Sequence, residues 1–375
     1  MIILFLARLF YPHIGGVEKH VLEVSKRLVT KGHKVIVITE EFSNLHHSII
    51  DVIPAKAGIQ KENIRSPWIP DQVRNDKING IEVIRMPVGH EDSFKKFRIW
   101  KNLWKIRKVI KDADIIHCHD VFFWYMPFRL LYPRKPVYTT FHGYESYPIT
   151  KKAIFTRKIS EKLSSGNICI GDFIKKWYGT HPAFVSYGAV DIKALPLIRG
   201  SRRGFIKHSA LFYGRLDAQT GILTYNEAFK LLRKKYPKFE FLIVGDGPDK
   251  NLLDKKAKAI GFQKNPEQYF KNYRFAFVSR YLSILEAMAG KRLVFAVYDN
   301  PVKENYLKMA PFAKFIFIKN DAKRLANQVE KIINNPKLER EMIESAYEWV
   351  KKQTWEEMTK IYTTLWEKYY NEKYK

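Results

Sequence analysis

The chain has 375 residues, 46% of them apolar, which excludes wholesale disorder and, at about 150 residues per domain, predicts two folded domains. No apolar run approaches the ~18 residues of a membrane-spanning helix, and two cysteines, Cys118 and Cys169, exclude a disulfide framework or a cysteine zinc site and fit a reducing, cytoplasmic setting. With 66 basic against 38 acidic residues the net charge is +28, which points to polyanionic partners: nucleic acid, anionic lipid or phosphorylated ligands.

The first twelve residues are apolar but carry Arg8 and no small-residue cleavage site, so residues 2–7 read as a buried strand and not as a signal peptide. After Gly15 and Gly16, Val17, Val21, Val24 and Leu28 recur at helical spacing up to Gly32, where a helix stops naturally. Residues 34–39 form a second apolar run, and strand, helix and strand within 40 residues predict a parallel βαβ unit. Residues 51–76 fit no period and contain Pro54, Pro67 and Pro70. They resemble the translated product of a short palindromic repeat element, hence a tolerated surface insertion. Continuous runs at 81–85, 115–119, 137–141, 168–170 and 183–187 predict strands covered on both faces. Residues 196–207, rich in Arg, Gly and Ser, read as a linker. Beyond it strands are expected at 210–213, 239–244, 275–278 and 292–297, helices at 224–235, 251–259 and 282–289, and only helices from 321 onward. The fold class is therefore α/β, with two doubly wound halves.

Two glycines between a strand and a helix let backbone approach a ligand closely, and the helix N-terminus offers N–H groups to a phosphate. Gly15-Gly16 is neither a GxGxxG fingerprint nor a P-loop, so dinucleotide oxidoreductases and P-loop NTPases lose ground. In the second half Gly214-Arg215-Leu216-Asp217 and Gly245-Asp246-Gly247-Pro248 each follow a strand, at the ends where open α/β sheets bind ligands. Arg215 supplies a permanently charged fork for a diphosphate. Glu286, on the helix after a third strand, is a carboxylate able to accept both hydroxyls of a ribose. Together they describe a nucleotide-diphosphate pocket. His117 and His119 alternate along one strand, but no third ligand stands at a suitable spacing, so they read as a polar strand end and not as a metal site. Residues 93–111 hold Lys95, Lys96, Arg98, Lys101, Lys105, Arg107, Lys108 and Lys111 interleaved with Phe97, Trp100, Leu103, Trp104 and Ile110, the make-up of an interfacial helix for an anionic membrane surface.

In this order, the segments around Tyr11–His20, Gly32-His33, Asp114–Asp120, Thr140–Gly143, Tyr187–Asp191, Gly214–Leu216, Gly245–Pro248 and Leu285–Ala289 resemble the GT-B fold glycosyltransferases of family 4 over nearly the whole chain. The resemblance implies two Rossmann-like domains facing each other across a cleft: residues 1–195 on the acceptor side and 208–350 binding the nucleotide sugar, with a C-terminal helix in 351–375 crossing back. It implies sugar transfer from a nucleotide-diphosphate sugar to a glycan or a polyprenyl- or lipid-linked acceptor in cell-surface polysaccharide or glycolipid synthesis. Anomeric configuration would be retained, without metal or other cofactor, at the inner face of a bacterial plasma membrane. By match, Gly15 and Gly16 approach donor and acceptor, His142 lies near the transferred sugar, Arg215 holds the diphosphate, Glu286 the ribose, and Gly245 and Gly247 shape the loop near the base. Two positions depart from the family pattern. Thr220 stands where a lysine is usual, five residues after the arginine, and Val278 where a second acid is usual, eight residues before Glu286. Arg280, in the loop leading to Glu286, is the expected substitute cation, assisted by the helix N-terminus near Leu282. A GT-B nucleotide-sugar epimerase and a degenerate nucleotide-sugar-binding protein without turnover remain as alternatives. A nucleic-acid partner is not expected, since no nucleic-acid-binding motif accompanies the charge.

Overall fold

Five successive residues of Ile2–Ala7 (β1), Ile3 to Ala7, are fully buried, which requires cover on both faces and puts the strand inside a sheet. Around it the computed structural model, which describes residues 1–13, 15–41, 59–60, 74–193 and 206–373, divides into two units. The first is Met1–Ser186 with Trp355–Lys375, and the second is Tyr187–Thr354.

In the first unit β1 leads through α1 (Gly16–Thr30) to β2 (Lys34–Glu40), parallel to β1 with Ile3 opposite Val35. Strands β3 (Ile59–Gln60), β4 (Arg74–Ile78) and β5 (Ile81–Met86) extend that side. Helices α2 (Lys95–Lys105) and α3 (Arg107–Asp112) then lead to β6 (Ile115–His119) on the other side of β1. There follow α4 (Phe122–Leu131), β7 (Val137–Phe141), α5 (Lys151–Leu163), β8 (Gly166–Ile170), α6 (Phe173–Tyr178) and β9 (Phe184–Ser186). The sheet order is β3-β4-β5-β2-β1-β6-β7-β8-β9, with β3 and β4 antiparallel at one edge. Ile99, Leu103, Ile106, Ile110, Trp124 and Phe128 pack one face of the sheet against Leu4, Ile36, Ile84 and Ile116.

The second unit has an all-parallel sheet. Its elements are β10 (Ile206–Tyr213), α7 (Ile222–Lys235), β11 (Glu240–Val244), β12 (Lys258–Ala259), β13 (Tyr273–Phe277), α8 (Tyr281–Ala289), β14 (Leu293–Val297), α9 (Pro301–Lys308), β15 (Phe317–Lys319), α10 (Ala322–Ile333) and α11 (Pro336–Val350). The order is β12-β11-β10-β13-β14-β15. A buried bidentate pair, Arg274 Nε to Glu339 Oε1 at 3.0 Å and Nη2 to Oε2 at 2.7 Å, ties β13 to α11. The last helix, α12 (Trp355–Lys373), belongs to the first unit, where Tyr362 and Trp366 are buried against Phe5.

Several expected boundaries move. The first unit ends at Ser186 and not near 195, because Tyr187 packs on Tyr281 and Phe312 and Val190 pairs with Thr354. Strand β10 begins inside the expected linker. Residues 251–259 are not a helix: Pro248 starts a 3₁₀ turn, Pro248–Leu252, and Lys258–Ala259 pairs with β11 as an edge strand. The basic helix of 93–111 breaks at Ile106, where the Arg107 side chain donates to the Trp104 carbonyl at 3.0 Å. Of the expected insertion 51–76, residues 51–58 and 61–73 lie outside the described residues. Its last residues are sheet, since Arg74, Asn75 and Asp76 pair with Arg85, Ile84 and Val83.

Candidate active site

In the second unit β11 lies on one side of β10 and β13 on the other, so the connections after β10 and β13 diverge. The carboxyl ends of these two strands form a switch point, where open α/β sheets take ligands. Arg215 follows β10 there, with its side chain 74% exposed and its Nε 3.2 Å from Asp217 Oδ2. The glycines after β11 serve an interlock with this loop. A Cβ at Gly245, where φ is +143°, would collide with the Gly214 carbonyl, and one at Gly247 would lie 2.8 Å from backbone atoms of Leu216. Leu216 N–H donates to Asp246 O at 2.9 Å and Asp249 N–H to Leu216 O at 3.1 Å, so the two loops are stitched backbone to backbone.

Thr220 is buried and its hydroxyl faces the carbonyls of Arg215 and Asp217 at 2.9 and 2.7 Å, closing the Arg215 turn instead of reaching for a ligand. Val278 is buried in the core, so its side chain offers no contact in place of the usual acid. Glu286 is buried on α8 and accepts the Tyr213 hydroxyl at 2.5 Å. Burial and that carboxylate push the Tyr213 phenol well above its ordinary range, so it remains a donor. Arg280 occupies the N-cap position of α8, and its guanidinium donates to the Gln219 side chain, next to Thr220. Arg215, Gly245, Gly247, Arg280 and Glu286 thus stand on loops and a helix of adjacent strands.

The first unit has the same kind of switch point at β1, between β2 and β6. Gly15 and Gly16 lead into α1, with the Glu18 carboxylate folded back against Gly15 and 3.0 Å from His13 Nδ1. That carboxylate occupies the place of negative charge at the helix start that the sequence offered to a phosphate. The preceding loop is held by Arg85, which donates to Tyr11 O at 2.5 Å and to Asp76 at 2.7 Å. His142 follows β7, with its Nε2 2.8 Å from His119 Nδ1 and its backbone N–H donating to Asp120 Oδ1 at 3.1 Å. The His20 ring, one turn into α1, meets His142 edge-on at 4.9 Å between centroids. Burial, then the fields of His117 and Arg157, push His142 down to about 3, so its imidazole is neutral at working pH. Among the described residues no group of three or more His, Cys, Asp or Glu is placed to hold a metal ion.

Four positioning residues escape the sequence. Arg157 donates to Gly143 O at 2.8 Å and stacks 3.8 Å over Tyr178, fixing the loop that carries His142. Tyr213 holds Glu286, Arg85 holds the Tyr11 loop, and buried Lys303 donates to the Ser279 carbonyl at 2.5 Å. Each acts across a long sequence separation. Only the tyrosine ending a predicted strand beside the site was open to suspicion from sequence.

A protein-family model described as Glycosyltransferase Family 4 matches residues 14–184, and one described as Glycosyl transferases group 1 matches residues 207–349. The chain is 27% identical over 354 residues to the alpha-monoglucosyldiacylglycerol synthase of Acholeplasma laidlawii, covering 78% of this chain and 79% of the relative. It is 25% identical over 262 residues to the phosphatidyl-myo-inositol mannosyltransferase of Mycolicibacterium smegmatis, covering 66% of this chain and 59% of that one. Its fold matches the crystal structure of Anabaena HepE in complex with UDP at a TM-score of 0.68 and 15% identity, over 97% of this chain and 99% of the other.

Proposed function

The chain belongs to the group 1, family 4 glycosyltransferases of the GT-B fold, which use nucleotide-sugar donors, and from that premise we propose that it transfers a hexosyl group to a lipid-linked acceptor at an anionic membrane face, with retention of configuration. The observation that carries the reading is the stitched set of loops at the switch point of the second unit. There an exposed arginine, two glycines that let backbones interlock, and a buried carboxylate with a tyrosine donor stand together. Arg215 and Arg280 meet the negative charge that grows on the departing diphosphate, as charges placed before the reaction do best. Glu286 accepts the ribose hydroxyls, while neutral His142 and the Gly15–Gly16 turn serve the sugar and acceptor.

Support for a lipid acceptor comes from α2 to α4 of the first unit. Their inner face packs the core, while Phe94 (68% exposed), Phe97, Trp104, Leu130 (85% exposed) and Leu131 lie outward among Lys96, Lys101, Lys105 and Lys108. Lys95 and Arg98 pair with Glu40, Glu91 and Asp92. The two curated relatives are by name enzymes of glycolipid synthesis. No helix among the described residues is long and apolar enough to cross a membrane.

The test is a thermal-shift panel of nucleotide sugars, followed by product detection with lipid acceptors. A donor at 100 times its Kd stabilises by about 2.7 kcal/mol, which a melting curve resolves. A panel of UDP-, GDP- and ADP-sugars that shifts nothing would sink the reading.

A further inference from the structure

Thr220 leaves the diphosphate site one cation short, and its hydroxyl is turned to two carbonyls of its own turn. A charge of the missing kind nevertheless reaches this neighbourhood from another element. Lys303 lies on α9, after β14, which is the neighbour of β13 in the sheet. Its side chain runs back so that Nζ donates to the carbonyl of Ser279, the residue that joins β13 to Arg280 and α8. The Ser279 hydroxyl is fixed in turn by Tyr225 Oη at 2.6 Å and by the Val297 N–H at 2.9 Å. Lys303 also lines a cavity of about 170 Å³ together with Gln219, the residue that holds Arg280 and precedes Thr220. The amine therefore stands at the loop bearing Arg280 and at the turn bearing Thr220 together.

Resting on the nucleotide-sugar reading above, we infer that Lys303 is a further cation of the diphosphate site and does the work of the lysine that Thr220 replaces.

The surroundings of the amine suit that role better than a purely structural one. Lys303 is 2% exposed, and among the described residues no carboxylate lies within ion-pair distance of it. Its partners are one carbonyl and the Tyr306 ring, 4.1 Å from Nζ. A buried ammonium so placed is costly, and Arg280 adds a like charge nearby. Burial first, then Arg280, holds Lys303 well below the usual lysine range, against the weaker pull of Asp299 and Asp217. An arriving diphosphate relieves both penalties, so the pair is arranged for an anion.

The experiment is calorimetric binding of UDP, GDP and ADP, and of the matching nucleosides, to wild type and to Lys303→Met, which keeps the apolar stem. For the diphosphate that binds wild type best, the variant should lose about 10- to 100-fold in affinity, the size of one charge-assisted hydrogen bond. Its nucleoside should bind unchanged, and adding Thr220→Lys should restore part of the loss. Equal weakening of nucleoside and diphosphate would mean that Lys303 only braces the Ser279 loop, and would overturn the inference. Should Lys303→Met fail to fold, Lys303→Gln decides, since it keeps a donor for the Ser279 carbonyl and removes the charge. It should show the same loss for the diphosphate with the nucleoside unchanged, and equal weakening of both would overturn the inference. If none of the three diphosphates binds wild type, the nucleotide reading itself falls and takes this inference with it.

Discussion

A buried carboxylate needs a donor, and Glu286 takes one from Tyr213 at 2.5 Å, which fixes its rotamer before any ligand arrives. Replacing it by Gln keeps the size and removes the charge. Ribose binding should then weaken by about 1.5–3 kcal/mol, the range of a hydrogen bond to a charged group. Nucleotide titration checks this, and unchanged affinity would place the ribose elsewhere. Arg280 presents the complementary case. Its guanidinium leans on Gln219 at the N-terminus of α8, where a diphosphate would also feel the helix dipole. Arg280→Ala should lower kcat by roughly 10²- to 10³-fold, as loss of one preorganised donor does. Wild-type turnover in that variant would leave the leaving-group charge to Arg215 and Lys303.

At the scale of elements, sequence patterns carried the strands well and the connections poorly. The continuous runs at 115–119 and 137–141 coincide with β6 and β7, because a strand covered on both faces announces itself locally. The 3₁₀ turn and edge strand after Gly247 were illegible, since nothing in Asn251 to Ala259 shows that pairing with β11 wins over a helix. Asp76 is a like case. It reads as the tail of an insertion, yet its carboxylate lies 2.7 Å from Arg85 Nε and both side chains are buried. If residues 53–73 are a tolerated insertion, removing them should cost no more than the pairing of the two-residue edge strand β3 with β4, because added chain length costs little closure entropy. Asp76→Ala should instead destabilise by about 3–5 kcal/mol, because it removes one partner of a buried ion pair. Urea midpoints of the two variants separate the claims, and equal losses would contradict this division of the segment. For α2 and α3, changing Lys101, Lys105 and Lys108 to Glu should weaken binding to anionic vesicles, at about 1 kcal/mol per basic residue near the surface. Nucleotide affinity should not move. Vesicle flotation at physiological salt is the measurement, and equal flotation of both proteins would count against a membrane face.

Over the whole molecule, the terminal helix completes the first unit through histidines. The Trp366 indole, a donor only, gives its N–H to His117 Nδ1 at 3.1 Å, which fixes that ring as the Nε2–H tautomer. His117 Nε2 can then donate to Thr140 Oγ1 at 2.8 Å, and Tyr362 Oη lies 2.9 Å from Thr140 and 2.8 Å from His20 Nε2. A helix more than 200 residues downstream thereby holds the strand ends and α1 around His142, which no local pattern discloses. The arrangement works only with neutral rings. His20, His117 and His119 are each held well below the ordinary histidine range, by burial first and then by one another or His142. In the unfolded chain they titrate near 6.5, so below that pH the unfolded state binds more protons than the folded one. Their contribution to stability is therefore complete above about pH 6.5 and is lost as pH falls from there toward the depressed folded values. Each ring adds a slope of about 1.4 kcal/mol per pH unit, so these three with His142 give at most ~5.5 kcal/mol per unit, offset in part by Asp120, whose carboxyl burial raises to about 6. Urea unfolding followed by tryptophan fluorescence should show this steep loss between pH 6.5 and 5, but little change between pH 7 and 8. His117→Gln, which keeps an acceptor for Trp366, should lower the slope by one ring's share. A stability that stays level from pH 7 to 5 would mean that these histidines ionise in the folded protein, and that water reaches a cluster which the packing of α12 closes.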